Sequence, residues 1–372
     1  MIPQADFIER EGQKVVLALA GTDNFKRVRV NDFVISLRSF QGGIEHSAFD
    51  GAITPAYTVL RPSQDVQVDY FRYVLKSAGF ISALNATTEG IRDGKAVPYE
   101  SFGELKLPVP PPDEQRRIAA FLDYEITRID ELVQEQERLL ELAHEKHIAF
   151  IQATLSGQAL AASTRHEARA PWLDAVPSSW DIVPLRFLAR ISTGSRDTQD
   201  RVEDGQYPFF VRSMTVERID TYSYDTEAVL TSGDGAGVGE VFHHVTEAFE
   251  LHQRMYALTD FKRVTGRYLF FFLRAYFKLQ MTQWNAKSTV DSVRLPFLQA
   301  LLVAAPPAAM QQAISTLLDN REREHVALTE EVRRITDLLR ERRSALITAA
   351  VTGQIDVNTW TPPDDWLSTE TT

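Results

Sequence analysis

The chain of 372 residues has no cysteine. That excludes disulfides and thiolate metal sites and is compatible with a reducing cytoplasm. Long apolar runs are missing as well. The best candidate, YLFFFLRAYF from Tyr268, is too short to span a bilayer and is broken by Arg274, so it reads as a buried helix. The opening residues MIPQADFIEREGQ lack the basic start and apolar centre of a signal peptide. Positive charge is also in short supply, with 40 Lys and Arg against 51 Asp and Glu and a formal net charge of −11. This total speaks against a generally basic nucleic-acid binder.

The acidity is unevenly spread. Residues 113–150 hold ten acids and five bases, whereas residues 1–106 and 176–300 are each within about one charge of neutral. Local basic faces are therefore possible in those two regions. With 44% hydrophobic and 24% charged residues the chain has an ordinary globular composition, and its length predicts two or three domains.

What is present is a repeat. LPVPPPDEQRRIAAFLD from Leu107 has a fainter copy, VAAPPAAMQQAISTLLD, from Val303. A single offset of 196 pairs Pro110 with Pro306, Gln115 with Gln311, Ile118 with Ile314, Leu122 with Leu318, Arg138 with Arg334 and Gly157 with Gly353. Heptad phase alone would not align the entry prolines and the exit Gly-Gln as well.

Each copy predicts one long helix. In the first, the apolar stripe runs through Ile118, Leu122, Ile126, Ile129, Val133, Gln136, Leu140, Ala143, His147 and Phe150; in the second, through Ile314, Leu318, His325, Leu328, Val332, Ile335, Leu339, Arg342 and Leu346. Upstream proline gives a sharp start, Asp113 and Glu114 supply a cap and first-turn acid, and Gly157 and Gly353 end the helices. Each would be on the order of 60 Å long. A stripe so narrow needs a partner, and the simplest is the other copy, packed antiparallel as a coiled coil. The intervening modules would then lie at opposite ends of a rod. Two helices each lying on its own module is the alternative.

The modules share an outline. RVRVNDFVISL and GAITPAYTVLRP read as strands, DYFRYVLKSAGFISAL as a helix and TTEGIRDGKAVP as a loop; EAVLTSGDGAGVG, HQRMYALTD, GRYLFFFLRAYFKLQM and NAKSTVDSV follow the same order. The second module opens with PSSWDIVPL, whose counterpart would lie before Met1, so the first module is expected to be incomplete at its N-terminus. The fold class is thus α+β, with two mixed α/β modules and two long antiparallel helices. The boundaries are 1–106, 107–158 (helix), 159–175 (linker), 176–302, 303–356 (helix) and 357–372 (tail).

LPVPPPDEQRRIAAFLD…LSGQ, its second copy ending TGQIDV, and the PSSW…PL opening resemble the specificity subunit of type I restriction–modification systems. The resemblance covers nearly the whole chain. It departs at the missing start of module one and at Ala308-Ala309-Met310, which replace Pro112-Asp113-Glu114. The first departure puts DNA recognition by module one in doubt; the second touches only the helix cap.

The resemblance implies two target-recognition domains, each reading half of a split double-stranded DNA sequence, held apart by the paired helices. It implies two methyltransferase subunits and endonuclease–translocase subunits as partners. S-adenosylmethionine, ATP and magnesium belong to those partners and no cofactor to this chain, which would be cytoplasmic and free of membranes.

Base reading needs Arg, Lys, Gln or Asn at base edges, with cations on phosphates. The candidates are Arg38 and Gln41 beside the glycine turn, Arg92 and Lys95 in the loop, and Arg212, Arg254, Lys287 and Ser288 in the second module. Any one of them alone also reads as a solvated surface group. SGDGAGVGE from Ser232 lacks the GK[ST] ending of a phosphate loop and reads as a glycine-rich hairpin or DNA-proximal loop. His243, His244 and His252 fit no metal spacing. Neither an adenine-methylation motif nor a glycine motif for S-adenosylmethionine is found, so the chain is expected not to be catalytic by itself. The rival readings are a coiled-coil scaffold that never contacts DNA and a truncated, inactive relic.

Overall fold

The computed structural model describes residues 24–36, 44–86, 102–159, 164–170, 173–284 and 292–363. The first module contains β1 (Lys26–Val28), β2 (Phe33–Ser36), β3 (Glu45–His46), β4 (Gly51–Ile53), β5 (Tyr57–Leu60), α1 (Val68–Val74) and α2 (Ala78–Ala86). The long helix α3 (Pro112–Leu155) follows, then the hairpin β6 (Arg165–Ala170) and β7 (Leu173–Pro177). The second module runs through β8 (Asp181–Pro184), β9 (Arg190–Thr193), β10 (Tyr207–Phe210), β11 (Val216–Ile219), β12 (Tyr224–Asp225) and β13 (Ala228–Ser232). It continues with β14 (Phe242–Val245), β15 (Ala248–Leu251), β16 (Met255–Thr259), α4 (Gly266–Trp284), α5 (Leu295–Ala300) and β17 (Leu302–Ala305) before the second long helix, α6 (Ala308–Val351).

The chain divides into two units, one of residues 1–138 with 332–372 and the other of residues 139–331. Each unit therefore takes part of both long helices. In the first, Arg343 Nε donates to Asp130 Oδ1 at 3.0 Å and Arg340 to Glu137 Oε1 at 3.2 Å. In the second, His147 Nε2 lies 3.2 Å from Glu322 Oε2, and Arg321 sits 5.4 Å over the Phe150 ring. Rising numbers on α3 meet falling numbers on α6 in both, so the pairing is antiparallel, as the stripe predicted.

The buried and half-buried positions of α3 follow the expected stripe from Ile118 to Phe150. On α6 two positions differ. Leu328 and Arg342 are exposed, and Thr329 and Arg343 turn inward instead. At 3.6 residues per turn, eleven residues make close to three turns, so Thr329 shares the face of Leu318 and Arg343 that of Val332. Helix geometry, rather than apolar character, decides the phase here.

The repeat recurs in atomic contacts. Gln115 Nε2 donates to the Pro110 carbonyl at 2.8 Å, and Gln311 Nε2 to the Pro306 carbonyl at 2.7 Å. Arg72 of α1 pairs with Asp123, and Arg267 of α4 with Asp319 through Nε at 2.9 Å. A tyrosine hydroxyl reaches the carbonyl at Pro108 (Tyr70, 3.2 Å) and at Ala304 (Tyr268, 2.7 Å). α3 begins at Pro112, so Asp113 and Glu114 are first-turn acids complementing the exposed N–H groups rather than caps. Gly157 and Gly353 leave the helices at φ +70° and +74°, the left-handed conformation that glycine takes without strain.

Around these helices the cores form separately. In the first unit Tyr70, Tyr73 and Val74 of α1 bury against Ile118 and Leu122 of α3 and Ile347, Ala350 and Val351 of α6. GAITPAYTVLRP, expected as one strand, is two: Tyr57 N bonds back to Thr54 O at 3.2 Å, sending β4 to pair with β1 and β5 with β2. DYFRYVLKSAGFISAL is two helices, because Ser77 Oγ accepts the Phe80 N–H at 3.3 Å and caps a new start.

In the second unit β14-β13-β16-β9 form an antiparallel sheet, and β11-β10-β15-β12 a mixed one in which β10 and β15 run parallel. α4 buries Tyr268, Phe271, Phe272, Phe277 and their neighbours in the largest core, confirming the buried helix expected for that run. No helix among the described residues is long and apolar enough to cross a membrane.

Candidate nucleic-acid interface

Strand pairing in the second module brings distant polar residues to one place. β13 and β16 pair with Ser232 opposite Met255, so Asp234 and Arg254, just beyond each end, are neighbours. β10 and β15 run parallel with Phe210 opposite Leu251, and His252 N bonds to Phe210 O at 3.0 Å. Arg212 is therefore delivered to the same end.

There, Arg212 Nη1 donates to Asp234 Oδ1 at 3.0 Å and Arg254 Nη1 to Asp234 Oδ2 at 2.8 Å. The side chains are 42%, 58% and 26% exposed for Arg212, Arg254 and Asp234 respectively. Burial alone would raise the Asp234 carboxyl, but the hydrogen bonds from Arg254 and Arg212 outweigh it and hold the group below the usual carboxylate range. The trio keeps one net positive charge and several unspent guanidinium N–H donors.

Neighbouring groups fix the ends of these loops. His252 Nδ1 accepts the Arg254 N–H at 3.0 Å, and Gln253 Nε2 donates to Asp197 Oδ2 at 2.7 Å. The fully buried Glu250 accepts from Ser223 Oγ at 2.9 Å and lies 3.6 Å from Arg196 Nε. Met214, two residues beyond Arg212, is 62% exposed at the tip of the β10–β11 hairpin, an apolar surface of the kind that meets a thymine methyl.

The glycine stretch serves close approach. A Cβ on Gly237 would sit 2.5 Å from Arg212 O, and one on Gly233 2.8 Å from Arg254 O. The stretch joins β13 to β14 as the hairpin the sequence suggested. His243 and His244 alternate across β14: His243 packs on Phe210 with centroids 4.8 Å apart, while His244 bonds Glu227 at 2.8 Å. They do not converge with His252, and no metal-holding group is found among the described residues.

Of the eight residues selected from sequence, Arg212 and Arg254 come together. Arg38, Gln41, Arg92, Lys95, Lys287 and Ser288 lie outside the described residues. Ser292, four residues after Ser288, bridges to Asp234, and Val293 N bonds Gly233 O at 2.8 Å. Asp234 was missed. Its one signal was an acid embedded among glycines, which reads as an ordinary turn residue.

In the second module the strands thus bring an arginine–aspartate–arginine cluster to one end of two sheets, with guanidinium donors left over for a partner. Residues 177–336 match the type I restriction modification DNA specificity domain, and this span includes Arg212, Asp234 and Arg254. Over that span the chain is similar to the specificity subunits of type I restriction–modification systems. The type I restriction enzyme EcoDI specificity subunit of Escherichia coli is 29% identical over 180 residues, which are 48% of this chain and 39% of that protein. The match thus spans about two fifths of the curated relative's length.

Among solved structures, one described as the structural basis of complex assembly and conformational transition of the type I R-M system superimposes with a TM-score of 0.70. It is 19% identical, over 90% of this chain and 85% of that one. The HsdS subunit from Thermoanaerobacter tengcongensis gives a TM-score of 0.50 at 18% identity, over 91% and 84%. At such identities the likeness is one of fold.

Proposed function

We propose that the chain is the DNA sequence-specificity subunit of a type I restriction–modification complex. Each module takes one half of a bipartite double-stranded target. The subunit directs adenine methylation and restriction by two methyltransferase subunits and by endonuclease–translocase subunits. The chain is not catalytic by itself; S-adenosylmethionine, ATP and magnesium act on the partner subunits, and the complex is cytoplasmic. What carries the reading is the duplication. Two modules joined to their helices by the same Gln-to-carbonyl, Arg-to-Asp and Tyr-to-carbonyl contacts, yet differing in their loops, suit two readers of different half-sites.

Sequencing methylated adenines in the host with and without the gene tests it. The expected result is a split motif that disappears on deletion, together with salt-sensitive binding of that duplex by the chain and its methyltransferase partners. An unchanged methylation pattern, with complex formation but no DNA affinity, would favour the scaffold instead.

A further inference from the structure

The Arg212–Asp234–Arg254 cluster has a geometry that a plain phosphate contact does not need. Affinity for the phosphate backbone scales with the cationic charge presented, and here one carboxylate cancels half of the charge on two arginines. What the carboxylate supplies is direction. Each arginine commits Nη1 to it, at 3.0 Å and 2.8 Å, and among the described residues its other nitrogens have no partner, on a half-exposed planar fork. The backbone that carries the carboxylate is itself held. Ser232 Oγ donates to Asp234 O at 2.9 Å, and Val293 N bonds the preceding Gly233 O at 2.8 Å. The Arg254 backbone is pinned by its N–H to His252 Nδ1. A fixed guanidinium fork with two parallel donors matches the O6 and N7 acceptors that guanine alone presents side by side in the major groove.

We propose that Arg212 and Arg254 read guanine in the half-site taken by the second module, with Asp234 a positioning residue that aims both forks without touching DNA. The proposal rests on the DNA-reading function above and names the base class at one of its sites.

The test compares the host's methylated motif for the wild-type chain and for Arg212→Ala, Arg254→Ala, Asp234→Ala and the conservative Asp234→Asn. It also measures binding of the wild-type motif duplex by the full chain with its methyltransferase subunits, replacing each guanine in turn by 7-deazaguanine, which lacks N7. The wild-type motif should contain guanine in one half. The arginine variants should each lose roughly tenfold of the preference for guanine there, leaving the other half intact. Asp234→Ala should lose discrimination while the dependence of binding on salt stays the same, and Asp234→Asn should fall between. Retained co-purification with the methyltransferase subunits shows that each variant folds.

A half-site without guanine, or indifference to 7-deazaguanine, overturns the inference. So does an arginine variant that weakens all duplexes equally and lowers the salt slope by about one, the signature of a phosphate contact. Those results leave the specificity-subunit reading standing. If no motif depends on the gene, that reading fails and this one with it.

Discussion

His147 of α3 and His325 of α6 stack face to face, ring centroids 4.2 Å apart and planes 9° from parallel. Burial is the main cause that lowers both below the ordinary histidine value near 6.5. Neighbouring charges push the same way, those of His325 and Arg274 on His147 and those of His144 and Arg321 on His325. Glu322, 3.2 Å from His147 Nε2 and itself held by Arg274, opposes the shift without reversing it.

A histidine depressed on folding binds fewer protons in the native state than in the unfolded one. Its contribution is therefore complete above about pH 6.5 and drains away as pH falls towards the folded value. Thermal unfolding of the unit of residues 139–331 should lose stability between about pH 7.5 and pH 5.5. His325→Gln should shallow that slope without flattening it, since burial lowers His243 and His252 as well. A slope unchanged by the substitution would show that His325 takes up its proton as readily in the folded protein as in the unfolded chain.

Gln311 and Gln115 make the same repeated contact with different weight. Gln311 is 1% exposed and spends its amide fully: Nε2 donates to Pro306 O and Arg263 O, both at 2.7 Å, and Oε1 accepts the Thr265 N–H at 2.8 Å. Among the described residues the Gln115 side chain makes one bond, to Pro110 O, and its buried Oε1 has no partner. Gln311→Ala should cost about 2–4 kcal/mol and Gln115→Ala about 1 kcal/mol, since removing Gln115 also removes an unsatisfied acceptor. Denaturant unfolding of the two variants checks the order; equal losses would contradict it.

Gly157 and Gly353 separate strain from crowding. Both have φ in the left-handed region, where alanine costs on the order of 1 kcal/mol. A Cβ on Gly353 meets open space, whereas one on Gly157 would lie 2.6 Å from Pro177 Cγ, on a rigid ring. Gly157→Ala should therefore lose about 1–3 kcal/mol more than Gly353→Ala, the cost of overpacking. Thermal melts of the two variants measure the difference.

The helices were legible because their signals are local: proline at the start, glycine at the end, and a stripe whose period the backbone enforces. The misplacement of Leu328 and Arg342 came from taking a three-residue step where the helix takes four. Strands of two to six residues were harder. The break at Ser77 is a cap that only its contact with Phe80 N reveals. The gathering of residues 332–372 into the unit of the first module has no local sign, since it follows from antiparallel pairing across some two hundred residues. The candidate site was half legible. Arg212 and Arg254 carry the right chemistry beside glycines, but Asp234 acquires its role only through the pairing of β13 with β16.

The same pairing makes Gly237 the most informative position for the recognition loop. It carries no charge and donates no side chain, yet a Cβ there would press on Arg212 O at 2.5 Å and on Ser232 Cβ and Oγ at 3.1 Å. The backbone of Arg212 would have to move, carrying its fork away from Asp234. Gly237→Ala should therefore relax the preferred half-site much as Asp234→Ala does, by roughly tenfold at the guanine positions, with the number of cations unchanged. Gly235→Ala is the control, since its nearest neighbour is the Arg212 Nη1 tip at 3.7 Å; its φ of +71° makes it strained but not crowding. Comparing methylated motifs for the two variants separates displacement of Arg212 from a general loosening of the loop. If Gly235→Ala relaxed the half-site as far as Gly237→Ala, close packing of the glycines on Arg212 would not be what aims it.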